Sequence, residues 1–229
     1  DPSNFDLKYK RANARKILAN KNIFEDFTKV IKLYHKLKYN LDKKIFIEVK
    51  SNIKFSNIGI CQIKKEYFKN LPYLFKEKLL NILIKIIGGK IYPRKTLILN
   101  NIIENILNEN NKNFTAGGVY FINNKDSIFL TRQPEPYIKT LKLESKYSIW
   151  DRRFCIINNS NKRNIIVQPL GEYDYHKMIK LKKIQKSNLP FHAIKTLPSI
   201  RELDEIVSIP HLLYWKNDFW KNNIKVQHI

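Results

Sequence analysis

A single apolar stripe constrains the fold of this chain more than any other feature of its sequence. Its members recur at alternating spacings of four and three residues, and they are Ile23, Phe27, Val30, Tyr34, Leu37 and Leu41. Side chains at these spacings share one face of an α-helix. The stripe therefore predicts a long amphipathic helix from about Asn22 to the late forties that packs against a neighbour, with Asn22 and Glu25 as its capping pair.

Two further helices are predicted on either side of a double glycine. Between Tyr73 and Ile87 the polar residues fall four apart and apolar residues fill the rest, which predicts a largely buried helix. Gly88-Gly89 ends this helix because glycine readily adopts the left-handed conformation that caps a helix. Pro93 favours the first turn of the next helix, which runs to about Asn108. These segments predict a helical hairpin.

Later in the chain the apolar period changes to that of strands. A β-hairpin is predicted over Phe114–Thr131, opened by Gly117-Gly118, and a short strand is predicted between Lys50 and Cys61. The remaining predicted elements are strands at Ile149–Ile157, Ile165–Val167 and Ile206–Ile209 and a helix at Tyr173–Lys186.

The predicted fold class is α+β, with a long helix, a helical hairpin and a β-hairpin followed by a smaller mixed α/β C-terminal domain. Prolines in Gln133–Pro136 and the polar, Lys-rich run after them predict a linker over residues 134–146. The predicted domains are then residues 22–133, mainly helical, and residues 147–229.

The charge predicts an anionic partner. The chain has 43 Lys and Arg against 20 Asp and Glu, a net charge of +23. Lys, Asn and Ile are also the residues that an AT-rich genome favours, so a purely compositional origin of the charge stays open. The most apolar stretch, Leu79–Ile87, contains Asn81 and Lys85 and is too short to cross a bilayer, so no membrane partner is expected.

The sequence offers no complete active site. Six glycines form no phosphate-binding loop, and five histidines have no metal-ligand spacing. Cys61 and Cys155 lie far apart in sequence with no second cysteine near either, which excludes a disulfide framework and a Cys-rich zinc site, and a reducing compartment is expected. The chain begins at Asp1 and its only methionine is Met178, so we expect a fragment or a processed chain.

The positions of the arginines indicate more about function than their number does. Arg11 and Arg15 lie four residues apart, so on a helix they would either grip successive phosphates or form a solvated face. Arg152 and Arg153 fall in a predicted strand whose alternation points them to opposite faces, so at least one is expected to be structural. Trp150 beside them is expected in the core.

Helices followed by a strand hairpin also resemble a winged helix-turn-helix, which would make the chain a DNA-binding module. The second helix argues against this alternative because it offers few donors for base edges beyond Arg94 and Lys95.

Short motifs along the chain resemble tRNA(Ile)-lysidine synthetases, and they occur in that family's order. They are Asp1-Pro2-Ser3-Asn4 with Arg11 and Arg15, Leu71-Pro72 through Gly88-Gly89 to Tyr92-Pro93-Arg94, Phe114-Thr115-Ala116-Gly117-Gly118, Trp150-Asp151-Arg152-Arg153-Phe154, Pro169-Leu170-Gly171, Leu197-Pro198 and Ile209-Pro210-His211-Leu212. The chain departs from the family at Asn13, where a further basic residue is frequent, and at Arg152, where Gly is common.

The resemblance implies that residues 1–21 close an ATP-binding domain and that the rest forms the tRNA-binding portion. The complete enzyme is a carbon–nitrogen ligase that uses ATP and Mg²⁺ to adenylate C2 of the wobble cytidine of an isoleucine tRNA. L-lysine then attacks, which changes codon and amino-acid specificity. This chain would carry no catalytic residue, bind neither ATP nor Mg²⁺ and be inactive by itself.

The partners implied are isoleucine tRNA and, in the complete enzyme, L-lysine, in a bacterial cytoplasm or an organellar matrix. A separate ATP-binding chain and a homodimer both stay open. The predicted tRNA phosphate contacts are Arg11, Arg15, Arg94, Arg132, Arg152, Arg153, Arg163, Lys180, Lys182 and Lys183. The alternatives are a stand-alone noncatalytic RNA-binding protein and the winged-helix DNA-binding module.

Overall fold

The structure is a computed structural model that describes residue 8 and residues 10–89, 94–108, 112–134 and 138–229. Its helices and antiparallel sheets confirm the predicted α+β class. The chain divides into two compact units, Asp1–Val49 and Lys50–Ile229.

The first unit contains α1 (Lys10–Leu18) and most of α2 (Lys21–Asn52), which confirms the predicted long helix. The predicted cap is wrong: Asn20 Oδ1 accepts hydrogen bonds from the backbone N–H groups of Asn22 (3.1 Å) and Ile23 (3.4 Å), so Asn22 is already helical. The apolar stripe does not show the predicted packing within the described part of the chain. Its side chains from Ile23 to Leu37 are 43–63% exposed.

The second unit begins with a sheet covered by a helical hairpin. Its elements are β1 (Ile53–Phe55), β2 (Cys61–Lys64), α3 (Lys65–Asn70), α4 (Tyr73–Gly88), α5 (Thr96–Leu107), β3 (Phe114–Ala116), β4 (Val119–Asn123) and β5 (Ser127–Arg132). The strands are ordered β1-β2-β5-β4-β3. Gly89 caps α4 in the left-handed conformation (φ 59°) and donates its N–H to the carbonyl oxygen of Lys85, as its position predicts. Pro93, expected to start the next helix, lies outside the described residues.

The rest of the unit is built from two more antiparallel sheets. Its elements are β6 (Leu141–Lys142), β7 (Tyr147–Trp150), β8 (Phe154–Asn158), β9 (Ile165–Pro169), α6 (Glu172–Lys180), α7 (Phe191–Ile194), β10 (Pro198–Glu202), β11 (Glu205–Ile209), a 3₁₀ turn (Pro210–Leu212), β12 (Tyr214–Trp215), α8 (Asp218–Asn223) and β13 (Ile224–His228). The sheet orders are β12-β11-β10-β9-β6 and β13-β8-β7.

Two predicted elements in this region have the wrong extent. The strand predicted over Ile149–Ile157 is a hairpin, because Asp151 (φ 49°) and Arg152 (φ 57°) turn the chain between β7 and β8. The helix predicted to reach Lys186 ends at Lys180, and Lys182 follows in a left-handed conformation (φ 53°).

The hydrophobic cores join segments that are distant in sequence. Ile58 and Ile60 share one core with Leu170 and Tyr175, so residues from both predicted domains build it together. Residues 138–146 of the predicted linker also belong to the fold: Ile138 and Leu143 are buried in the other core, and β6 pairs with β9. Among the described residues, no helix combines the length and the apolar character needed to cross a bilayer.

Candidate nucleic-acid interface

Several predicted contacts meet where two glycine pairs approach each other. We call this place the arginine junction, and it consists of Arg94, Arg132, Arg152, Arg153, Asp151, Gly88, Gly89, Gly117 and Gly118. It brings the end of α4, the β3–β4 turn, the end of β5 and the β7–β8 turn together.

Asp151 is the centre of the junction. Its Oδ2 accepts hydrogen bonds from Nε of Arg132 (2.9 Å) and Nε of Arg153 (2.7 Å), and its Oδ1 accepts one from Nη2 of Arg132 (2.7 Å). All three side chains are at most 6% exposed. Burial lowers the pKa of Arg153 to about 10, which the nearby Asp151 carboxylate partly opposes. At neutral pH the Arg153 guanidinium therefore still carries its charge.

The remaining donors of these two arginines bind backbone and hydroxyl oxygens. Arg132 Nη1 donates to the carbonyl oxygens of Gly88 (2.5 Å) and Gly118 (3.2 Å). Arg153 donates to the carbonyl oxygen of Thr196 (3.1 Å) and to its hydroxyl (3.5 Å). Buried and engaged in this way, Arg132 and Arg153 connect the helical hairpin to the C-terminal sheets and do not present their charge to a phosphate on the surface.

Glycine is required where these segments touch. A Cβ on Gly88 would lie 2.5 Å from the carbonyl oxygen of Gly117, and a Cβ on Gly117 (φ +64°) would lie 2.6 Å from Cγ2 of Ile84. No larger residue fits without moving α4 away from the β3–β4 turn. Both Gly88-Gly89 and Gly117-Gly118, which are part of the short sequence motifs, thus have a packing role.

Arg152 and Arg94 lie at the rim of the junction. Arg152 is exposed, and its Nη1 donates to the carbonyl oxygen of Gly89 (3.1 Å). The backbone N–H of Arg94 donates to Oδ1 of Asn81 (2.8 Å), while its buried Nε has no hydrogen-bond partner among the described residues. Of the two neighbouring arginines, Arg153 is therefore the structural one, and Trp150 is in the core as expected, 1% exposed.

The other predicted contacts are exposed. Arg11 and Arg15 both lie in α1, so their spacing places them on one helical face. Lys180 ends α6, and Lys182 and Lys183 follow it on the surface.

Arg163 lies in an open groove with a volume of about 540 Å³ between the β6–β7 and β8–β9 loops. We call it the cationic groove. Its lining includes Lys142, Glu144, Lys146, Lys162, Arg163 and the side chains of Asn158, Asn159, Asn161 and Asn164.

The sequence prediction missed the three lysines of this groove. Lys142 and Lys146 precede β7 whereas Lys162 and Arg163 follow β8, and they become neighbours because β7 and β8 pair with Tyr147 opposite Ile157. The backbone N–H of Asn158 donates to the carbonyl oxygen of Lys146 (2.8 Å), which closes the open end of this hairpin. Knowing the register of the β7–β8 hairpin would have predicted that these four cations are neighbours. The sequence does not reveal this hairpin, because its turn at Asp151 contains no glycine.

No protein-family profile matches the chain. Among curated proteins, the tRNA(Ile)-lysidine synthase of Rickettsia felis is 30% identical over 96% of this chain and 53% of its own length. The tRNA(Ile)-lysidine synthases of Rickettsia bellii and Orientia tsutsugamushi are 26% and 25% identical over 98% and 95% of the chain. The chain spans about half the length of the curated relatives that it matches.

Proposed function

Because the chain is homologous to tRNA(Ile)-lysidine synthases over nearly its whole length, we propose that it is the tRNA-binding portion of such an enzyme. In this proposal the complete enzyme, with an ATP-binding domain either fused or supplied by another chain, joins L-lysine to C2 of the wobble cytidine of an isoleucine tRNA. It does so through an adenylated cytidine and works in a bacterial cytoplasm or an organellar matrix. A homodimer is equally compatible with the proposal.

The main support for the proposal is that the sequences of these tRNA(Ile)-lysidine synthases match 95–98% of the chain. The net charge of +23 supports it, because phosphate neutralisation supplies much of the affinity of RNA-binding proteins. The proposed phosphate contacts are the exposed cations Arg11, Arg15, Arg152, Arg163, Lys180, Lys182 and Lys183, with the half-buried Arg94. Arg132 and Arg153 support binding only indirectly, through the shape of the junction.

We propose that this chain contributes no site for ATP or Mg²⁺. The described residues contain no group of three or more His, Cys, Asp or Glu side chains placed to hold a metal ion. The double glycines of the junction are packed against each other and against guanidinium groups, so they leave no open loop for phosphates. The proposed role of this chain is to hold the tRNA so that the wobble cytidine meets the reaction centre, which is a positioning contribution to the rate.

A winged-helix DNA-binding role has less support. The second helix of the hairpin, α5, would have to read base edges, yet its sequence from Thr96 to Leu107 contains no Lys or Arg. Major-groove recognition relies strongly on such cationic donors.

The test is a competition at one fixed salt concentration. The full chain, bound to a labelled isoleucine tRNA with a wobble cytidine, is titrated with unlabelled isoleucine tRNA, with another tRNA and with duplex DNA of similar length. We expect isoleucine tRNA to compete best. In separate titrations at several salt concentrations, log Kd for isoleucine tRNA should vary linearly with log salt. Equal competition by duplex DNA would reject the proposal in favour of charge-driven binding to any polyanion. Preference for both tRNAs over DNA without discrimination between them would favour the noncatalytic RNA-binding alternative.

A further inference from the structure

The cationic groove contains cations that the protein itself does not neutralise. Arg163 and Lys146 form no ion pair with any described residue, whereas Lys162 is paired with Glu202 (2.8 Å) and Lys142 contacts Glu144 only at 4.0 Å. Arg163 is exposed in the β8–β9 loop and Lys146 in the β6–β7 loop. Two unpaired cations on opposite loops suit an anionic chain that crosses the groove.

An exposed aromatic ring stands beside a cation of each loop. Lys146 Nζ lies 5.6 Å from the ring centroid of Tyr147, which is 62% exposed. Lys162 Nζ lies 5.4 Å from the ring centroid of Phe219, which is 41% exposed. Basic grooves with exposed aromatic rings are the usual construction of single-stranded nucleic-acid sites, because unpaired bases stack on the rings.

Amide side chains supply donors and acceptors in the same groove. Asn159, Asn161 and Asn164 are exposed and make no side-chain hydrogen bond to other described residues, whereas Asn158 Oδ1 already accepts from Ser160. Asn161 (φ 53°) and Asn164 (φ 62°) are left-handed, which sets the course of the loop. Free amides can pair with the exposed edges of unstacked bases.

From these observations we propose that the cationic groove binds a short single-stranded segment of RNA. Lys146 and Arg163 contact its phosphates, Tyr147 and Phe219 stack its bases, and the asparagine amides pair with base edges. The groove has a volume of about 540 Å³, the size of a small-ligand site, which suits a few extended nucleotides. The identity of the RNA as an isoleucine tRNA rests on the proposed function, but the preference for a single strand does not.

The experiment measures binding of the full chain to a labelled six-nucleotide single-stranded RNA and to the same RNA annealed to its complement. The groove variants are K146A/R163A and Y147A. K54A/K85A is the matched control for charge, because both lysines are exposed and lie outside the groove, and Y173A is the control for an exposed tyrosine. Each protein is also tested with isoleucine tRNA.

We expect K146A/R163A to weaken binding of the single strand at least tenfold and to lower the salt slope by about 1.4, since each single-strand phosphate contact contributes about 0.7. Y147A should weaken it about tenfold with an unchanged salt slope. Both control variants should stay within about twofold of the parent chain.

Three results would overturn the groove proposal. One is the absence of single-strand binding by the parent chain, and another is equal binding by the parent chain and K146A/R163A. The third is equal binding of single strand and duplex together with an unaffected Y147A variant, which would make the groove a duplex surface. If the groove variants behave as expected but the parent chain does not prefer isoleucine tRNA, the proposed function fails and the groove proposal stands.

Discussion

Replacing Asp151 by Asn tests the arginine junction directly, because it removes the charge and keeps the shape. Whichever way the new amide turns, one oxygen that faced guanidinium donors becomes an NH₂ group. If Oδ2 is lost, the contacts with Nε of both Arg132 and Arg153 are lost, and if Oδ1 is lost, the contact with Nη2 of Arg132 is lost. Both guanidinium groups would also remain buried without a counter-charge.

The expected loss is large. Breaking a buried ion pair by removing one partner typically destabilises a protein by about 3–5 kcal/mol, since the other charge is left uncompensated. Asp151 has two such partners that are at most 4% exposed, so we expect D151N to lower the free energy of unfolding by at least about 3 kcal/mol. The assay is urea denaturation at pH 7, with the slope of the transition compared between variant and parent chain.

Asp26 provides the matched control. It forms an ion pair with Lys29 at 3.0 Å, but both side chains are about three-quarters exposed. Surface pairs contribute between 0 and about 1 kcal/mol, so D26N should change stability by less than about 1 kcal/mol. A double-mutant cycle of D151N with R132M should show a coupling of more than about 1 kcal/mol. If D151N and D26N have equal effects, the junction is not a buried ionic connection and the reasoning is refuted.

The remaining predictions concern pH, glycine packing and the two neighbouring arginines. Burial lowers the pKa of His211 to about 4, so its neutral form is favoured by folding, and stability should fall as pH drops below about 6.5. Urea curves at pH 7.5 and 5.5 should differ by roughly 1 kcal/mol from this group, and H211Q should remove that difference. G117A, whose Cβ would lie 2.6 Å from a side-chain carbon of Ile84, should lose about 1 kcal/mol more in urea denaturation than G89A, which has a similar φ (59°) and a nearest contact at 3.1 Å; equal losses would show that backbone conformation alone matters. R152A should leave the urea midpoint nearly unchanged and reduce the salt slope of tRNA binding by about 0.9, whereas R153A should destabilise the chain by about 3 kcal/mol; the reverse pattern would exchange their roles.

The elements that could be predicted from sequence are those whose signal is local. The spacing of apolar residues placed α2, and Gly89 ended α4 because its conformation is a property of that single residue. The exposure of the α2 stripe could not be predicted, because an apolar period indicates a helical face and contains no information on what covers it.

The turn between β7 and β8 had no local signal. Asp151 and Arg152 are not glycines, and a left-handed conformation costs such residues about 1–2 kcal/mol each. The contacts of Asp151 with Arg132 and of Arg152 with Gly89 offset this cost, and both partners are distant in sequence. For the same reason, counting arginines could not separate the buried Arg132 and Arg153 from the exposed Arg163.

The β7–β8 hairpin links the two parts of the candidate interface. Asp151 and Arg153 lie at its turn, whereas Lys146 adjoins its open end at the cationic groove. The four residues of β7 separate Lys146 from Asp151, and the five steps between them span roughly 17 Å at about 3.3 Å per residue. Because a disturbed turn can displace the groove over this distance, weaker RNA binding by D151N or R153A would not identify either residue as an RNA contact. Arg152 lies at the same turn but is exposed, so a loss of affinity in R152A at unchanged stability is the result that assigns a phosphate to the junction.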